Sequence, residues 1–240
     1  MFRPTIVLFG FLLSSAAFAT EDQYVVGLTP GWDWVSGNKT QTLNLEPDVQ
    51  KTYTANNNTK SFPSLEFFLG WQKAHLLKHK LIGQIGVDIA AAGNAKLKGN
   101  IWDEADPAFN DFTYSYQVQH TQVAIKGRLI GDCGLMFEPY ISGSIGVGFN
   151  RAYNFTINPL ISPAVVAPLF HSNTTSSFIY TIGIGLQKSL SQHFQAAIGY
   201  EFANWGKTQL SRATGQTTNQ APSVNPLYAQ QIQLSLYYIF

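Results

Sequence analysis

The strongest constraint on this chain is a two-residue rhythm that recurs along most of its length. From Gln231 to Phe240, one set of alternate residues is Ile232, Leu234, Leu236, Tyr238 and Phe240. The other is Gln231, Gln233, Ser235, Tyr237 and Ile239. A period of two places successive side chains on opposite faces of an extended strand, whereas a helix repeats every 3.6 residues. The same alternation marks seven earlier segments. Together they predict eight strands at about 24–35, 62–72, 81–92, 113–130, 134–150, 174–188, 193–206 and 228–240. One set in each is apolar and often aromatic. The other is Gly, Ser, Thr, Gln and isolated charges.

Two architectures use such strands. A soluble sandwich turns the apolar set inward against a second sheet. A membrane barrel turns it outward to lipid and fills its interior with the small polar set. The connections favour the barrel. Those after the second, fourth and sixth strands are short (73–80, 131–133, 189–192). Those after the first, third, fifth and seventh are long (36–61, 93–112, 151–173, 207–227). Strict alternation puts all short turns at one end and all long loops at the other, as in outer-membrane barrels. Composition agrees. Charged residues are 12% and aromatics 14%, with a mean hydropathy of −0.03. An ordinary soluble protein carries about 25% charge. Loops 36–61 and 151–173 are long enough to hide a further hairpin, so ten strands is the competing count.

Residues 1–19 read as a cleaved signal peptide, with Arg3, the apolar run Ile6–Leu13 and the cleavage site Ala17-Phe18-Ala19. The barrel domain is then 20–240. Without Arg3 the chain has 14 basic and 14 acidic side chains, from 15 and 14 in the whole sequence. That balance excludes an electrostatic footprint for nucleic acid. Cys133 is the one cysteine and reads as an incidental turn thiol.

The leader, the closing run Leu234-Ser235-Leu236-Tyr237-Tyr238-Ile239-Phe240 and the segment Glu138–Gly146 resemble small bacterial outer-membrane proteins. The resemblance is to the superfamily of the outer-membrane protein A barrel, its X-type relative and the opacity proteins. It covers the whole mature chain and implies an eight-stranded antiparallel transmembrane β-barrel in the outer membrane. It also implies that Phe240 is the terminal aromatic read by the barrel-assembly machinery. Adhesion and envelope integrity are roles that the resemblance suggests. No peptidoglycan-binding domain follows the barrel, so anchoring by that route is not implied.

Parity places Asp33, Glu66, Asp88, Lys126, Arg128, Glu138 and Glu201 inside. Buried charges must pair, be watered or be neutralised. A hairpin centred on Asp132 predicts Lys126 directly opposite Glu138. Glu66 and Asp88 need a shared cation, with Lys126 and Arg128 the candidates. The network reads either as a structural plug or as a narrow cation-preferring pore. Trp32, Trp34 and Trp205 at the loop end, with Trp71, Tyr238 and Phe240 at the turn end, read as the two aromatic girdles of the bilayer interfaces. In the loop 151–173, Leu160, Ile161, Val165, Val166, Leu169 and Phe170 read as a contact patch or as a flap over the barrel mouth.

An enzyme acting on lipid A would need a His with a Ser and an orienting carboxylate. None of His75, His79, His120, His171 and His193 sits in such a setting, and the basic run Lys73–Lys80 reads as a solvated turn. No cofactor or metal site is expected. The expected partners are membrane lipid and, through the loops, a surface or host component. The sequence thus predicts a non-enzymatic surface scaffold, with a small diffusion channel as the alternative and a lipid A-modifying enzyme third.

Overall fold

The alternating segments become long antiparallel strands in a computed structural model, which describes residues 22–47, 49–56, 61–76, 81–131, 134, 136–161 and 169–240. Residues 1–19, Cys133, His79, Val165 and Val166 lie outside the described residues, as do the side chains of Ala74 and His75. The strands are β1 (Asp22–Ser36), β2 (Gln41–Glu46), β3 (Val49–Tyr53), β4 (Phe62–His75), β5 (Leu81–Asp103) and β6 (Asn110–Gly131). They continue as β7 (Glu138–Pro159), β8 (Asn173–Ser189), β9 (Phe194–Asn204), β10 (Thr208–Gln209), β11 (Ser223–Val224) and β12 (Tyr228–Ile239).

Eight of them form a ring in the order β1-β4-β5-β6-β7-β8-β9-β12. β1 closes it, pairing with β12 (Leu28 opposite Leu236) and with β4 (Leu28 opposite Phe67). Closure pairs the backbone all round the wall, which a hydrocarbon environment demands because it offers no other partner. Leu28, Leu65, Ile85, Ile125, Ile145, Ile182, Ile198 and Leu234, one from each wall strand, are each about half exposed on the outside. An apolar belt of that extent is a lipid-facing surface.

The count is eight, yet loop 36–61 does contain a hairpin. β2 and β3 pair with each other, and β3 then adds to the far end of β5 through Lys51 opposite Asp103 and Tyr53 opposite Ile101. The hairpin sits above the ring and leaves the wall unchanged.

Most of the expected loop 93–112 and the first part of the expected loop 151–173 are strand. β5 runs to Asp103, β6 starts at Asn110 and β7 runs to Pro159, so the wall stands well above the membrane. The reason is a change of solvent. Along the belt, β5 points Ile85, Val87 and Ile89 outward. A register shift between Ala92 and Ala95 then exchanges the two faces. Beyond it Ala95, Leu97 and Ile101 are buried, and the alternate residues include Lys96 and Lys98. Outside the membrane the apolar set must turn inward, and the small residues of Ala90–Ala95, where the exchange occurs, carry too little contrast for the alternation to show.

Among the described residues the interior has two apolar clusters. One, at the turn end, contains Val25, Phe68, Ile130, Tyr140, Tyr237 and Ile239. The larger one lies at the loop end and includes Leu43, Leu45, Tyr53, Leu97, Ile101, Tyr114, Phe170, Trp205, Leu210 and Leu227. The buried charges lie between them.

Candidate functional site

The site is the barrel interior together with its roof. At the turn end, the Arg128 guanidinium lies between the rings of Tyr140 and Tyr237, 4.3 Å from each centroid. A planar cation between two aromatic faces keeps its in-plane donors free. Arg128 donates to Gln84 Oε1 at 2.7 Å and to Gln187 Oε1 at 3.1 Å. Gln84 donates onward to Gln72 (2.7 Å), and Gln187 to Gln195 (3.0 Å). One cation thereby organises a belt of glutamines around the ring.

The next layer is ionic. Lys126 Nζ lies 2.7 Å from Glu66 Oε2 and 2.9 Å from Glu201 Oε2. The three side chains come from β6, β4 and β9, so the contacts cross the lumen. Asp88 accepts a hydrogen bond from Gln122 at 2.9 Å. Asp33, Glu66, Asp88 and Glu201 are all buried, as are Lys126 and Arg128. Beneath the roof remains a cavity of about 30 Å³, lined in part by Asp33, Glu66, His120, Glu201 and Trp205. Such a space admits about one or two waters.

Above it, His120 bonds Asn150 Oδ1 through Nδ1 (2.7 Å) and Gln122 Oε1 through Nε2 (3.1 Å). Its ring stacks on Trp205 with centroids 4.1 Å apart and planes 4° from parallel. Asn150 Nδ2 donates to the carbonyls of Trp205 (2.6 Å) and Lys207 (2.9 Å). The interior network is thus tied to the first residues of the last long loop. Hydroxyl pairs Thr29–Ser235 and Ser144–Thr181, each at 2.9 Å, complete the polar lining.

The roof is made by loop segments. Phe170 packs edge-on to Tyr53 (5.8 Å) and Phe155 (5.1 Å), and Phe62 contacts Trp205 (6.3 Å). The β2–β3 hairpin reaches the last loop through Asn44 N donating to Gln220 Oε1 at 2.7 Å. Tyr114 donates its hydroxyl proton to Thr54 O at 2.9 Å. Burial pushes the Tyr114 phenol from its ordinary 10.0 up to about 12 and raises Tyr53 as well.

Lys126 faces Ser144 in the wall, not Glu138, because the β6–β7 hairpin centres three residues further on than Asp132. Glu138 is half-buried at the rim and accepts a 3.4 Å hydrogen bond from Gln187. Of the two candidate cations, Lys126 meets Glu66, while Arg128 serves glutamines and tyrosines. Trp205 is not a girdle residue. It is 5% exposed, inside the mouth. Just past the end of β9, it shares the inward parity of Glu201 and Ala203, which is the sequence signal for its position. Trp32, Trp71, Tyr238 and Phe240 are exposed on the outside, and Trp34 is half-buried with Nε1 donating to Gln230 (3.2 Å). The loop patch divides. Leu160, Ile161 and Leu169 are exposed, whereas Phe170 belongs to the roof. The His120–Trp205–Asn150 unit and the tyrosine clamp on Arg128 leave no local signal in the sequence, because each assembles residues from strands far apart in the chain.

The architecture is similar to that of solved outer-membrane barrels. Neisserial surface protein A superposes with a TM-score of 0.50 at 8% identity, over 90% of this chain and 97% of that one. OprG from Pseudomonas aeruginosa gives 0.44 at 13%, over 92% and 96%. Ail, the attachment invasion locus protein of Yersinia pestis, gives 0.43 at 12%, over 92% and 100%. A search of protein-family models and a search of curated proteins each find no match. At 8% identity the likeness to Neisserial surface protein A speaks for the fold alone, and with the closed ring and its apolar belt it makes this a small outer-membrane-type β-barrel.

Proposed function

We propose that the protein is a non-enzymatic scaffold of the bacterial outer membrane. Its plugged barrel carries an extracellular platform for adhesion, partner contact or envelope integrity. The observation that supports this most is the continuity of the filling. Aromatic residues, the Arg128–glutamine belt, the Lys126 ion pairs, the His120–Trp205 stack and the roof follow one another along the axis. Eight strands enclose an interior about wide enough for side chains. The buried histidine is committed to Asn150 and Gln122, which favours a packing role over a catalytic one. The exposed Leu160, Ile161 and Leu169 leave part of the platform free for contact.

The test is single-channel recording of the folded protein in a planar bilayer, beside binding assays on loop-deleted variants. A silent bilayer, with heat-modifiable gel migration showing a folded barrel, is the expected result. Reproducible conductance steps that change in Lys126→Ala would replace the plug with a channel. Loop deletions that spare every surface interaction and envelope phenotype would end the platform reading.

A further inference from the structure

The lipid-facing wall is unevenly covered. Outward residues line up in rows across the paired strands. One row reads Trp71, Ile85, Gly127, Gly143 and Ile182. The neighbouring row reads Lys73, Gly83, Leu129, Ile141 and Ile184. Glycines in these rows leave a hollow of about 640 Å³, bordered by Trp71, Leu76, Ile85, Leu129 and Ile141, with Lys73 at its edge. At Gly143 it meets a second hollow of about 310 Å³, lined by Ile125, Ile145, Tyr180 and Ile182. The combined trough crosses four strand spacings, from β4 to β8, or about 19 Å.

The trough is graded in depth and in polarity. Lys73 lies two residues before the end of β4, and Tyr180 nine before the end of β8. Along the strands these are about 7 Å and about 30 Å from the turn ends. The trough therefore climbs from the turn-side membrane surface into the bilayer, with a cation at the surface end and apolar walls beyond. A glycerophospholipid has the same polarity, with phosphate at the surface and acyl chain within. The wall itself does not require glycine at two of these positions. A Cβ on Gly127 would come no nearer than 3.9 Å to Gln84 O, and one on Gly143 no nearer than 3.4 Å to Thr181 O. Neither glycine has a left-handed φ. Their smallness shapes the outer surface instead.

We propose that this trough holds one glycerophospholipid of the periplasmic leaflet, with an acyl chain over Gly127 and Gly143 and its phosphate at Lys73. Occupancy of the trough does not depend on what the extracellular loops contact.

The experiment is native mass spectrometry of the full chain, purified from membranes and released from nanodiscs of phosphatidylethanolamine and phosphatidylglycerol. The expected result is one retained phospholipid per monomer, enriched in phosphatidylglycerol. Gly127→Leu with Gly143→Leu fills the trough and lowers the retained fraction by about tenfold, equivalent to a tenfold weaker site. Lys73→Gln keeps a lipid but loses the preference for phosphatidylglycerol. Heat-modifiable migration establishes that each variant is folded. Equal retention by wild type and the double-leucine variant overturns the site. A lipid-free wild-type dimer that this variant splits into monomers also overturns it, since the occupant is then a second copy. An unchanged preference in Lys73→Gln overturns the placement of the phosphate.

Discussion

Lys126 meets Glu66 and Glu201 from strands that are not its neighbours in the wall. Removing only the cation leaves two carboxylates buried against each other. Lys126→Ala should therefore cost about 3–5 kcal/mol. The triple variant Lys126→Met, Glu66→Gln, Glu201→Gln should recover most of that loss, because it removes every charge of the set. Urea unfolding in lipid bilayers reads both outcomes. Tyr114 carries a second prediction at this scale. Folding raises its pKa from 10.0 to about 12 through burial. Its contribution to the roof is then complete below pH 10 and is lost as pH rises from about 10 to about 12. Protease nicking of the roof should increase over that window, and less so in Tyr114→Phe. A roof equally resistant at both pH values would contradict this reading.

At the level of elements, the β2–β3 hairpin depends on one close approach. Thr54 O lies where a side chain on Gly99 would have to sit, so only glycine lets the chain after β3 lie against β5. Backbone bonds from Thr54 N to Asn100 O (2.8 Å) and from Asn56 N to Lys98 O (3.0 Å) hold the same seam. Gly99→Val should detach the hairpin while sparing the ring. Limited proteolysis should then cut within 37–61, with heat-modifiable migration unchanged. Much at this scale was legible beforehand. The eight wall strands announce themselves because lipid outside and polar filling inside impose one alternation on every segment. The far ends of β5 and β7 did not, because the stretches where they leave the bilayer, such as Ala90–Ala95 and Asn150–Asn154, are small or polar and carry little alternation.

For the whole molecule, the filling is layered, so no single deletion should open it. Trp205→Ala removes the stack on His120 but leaves the Arg128 belt and the Lys126 pairs in place. It should remain silent in planar bilayers. Lys126→Ala combined with Arg128→Ala removes both cross-lumen cations and should give the first measurable conductance. Steps from Trp205→Ala alone would mean that the stack is the barrier and the lower layers are permeable.

What the chain's order of residues settled is the wall: the alternation, the even strand count, the side on which turns and loops lie, and the inward parity of the charges. Those follow from a rule that acts locally, since each residue faces either lipid or lumen. Partnership inside the lumen lay beyond that rule. A hairpin centred on Asp132 would pair Lys126 with Glu138, whereas the true centre lies three residues on and Lys126 meets two carboxylates across the ring. Trp205 had the parity of the interior, but its place in the mouth depends on His120 and Asn150 standing opposite. Which inward residues touch is set by strand stagger and ring closure. Both are properties of the closed sheet, and no segment carries either one alone.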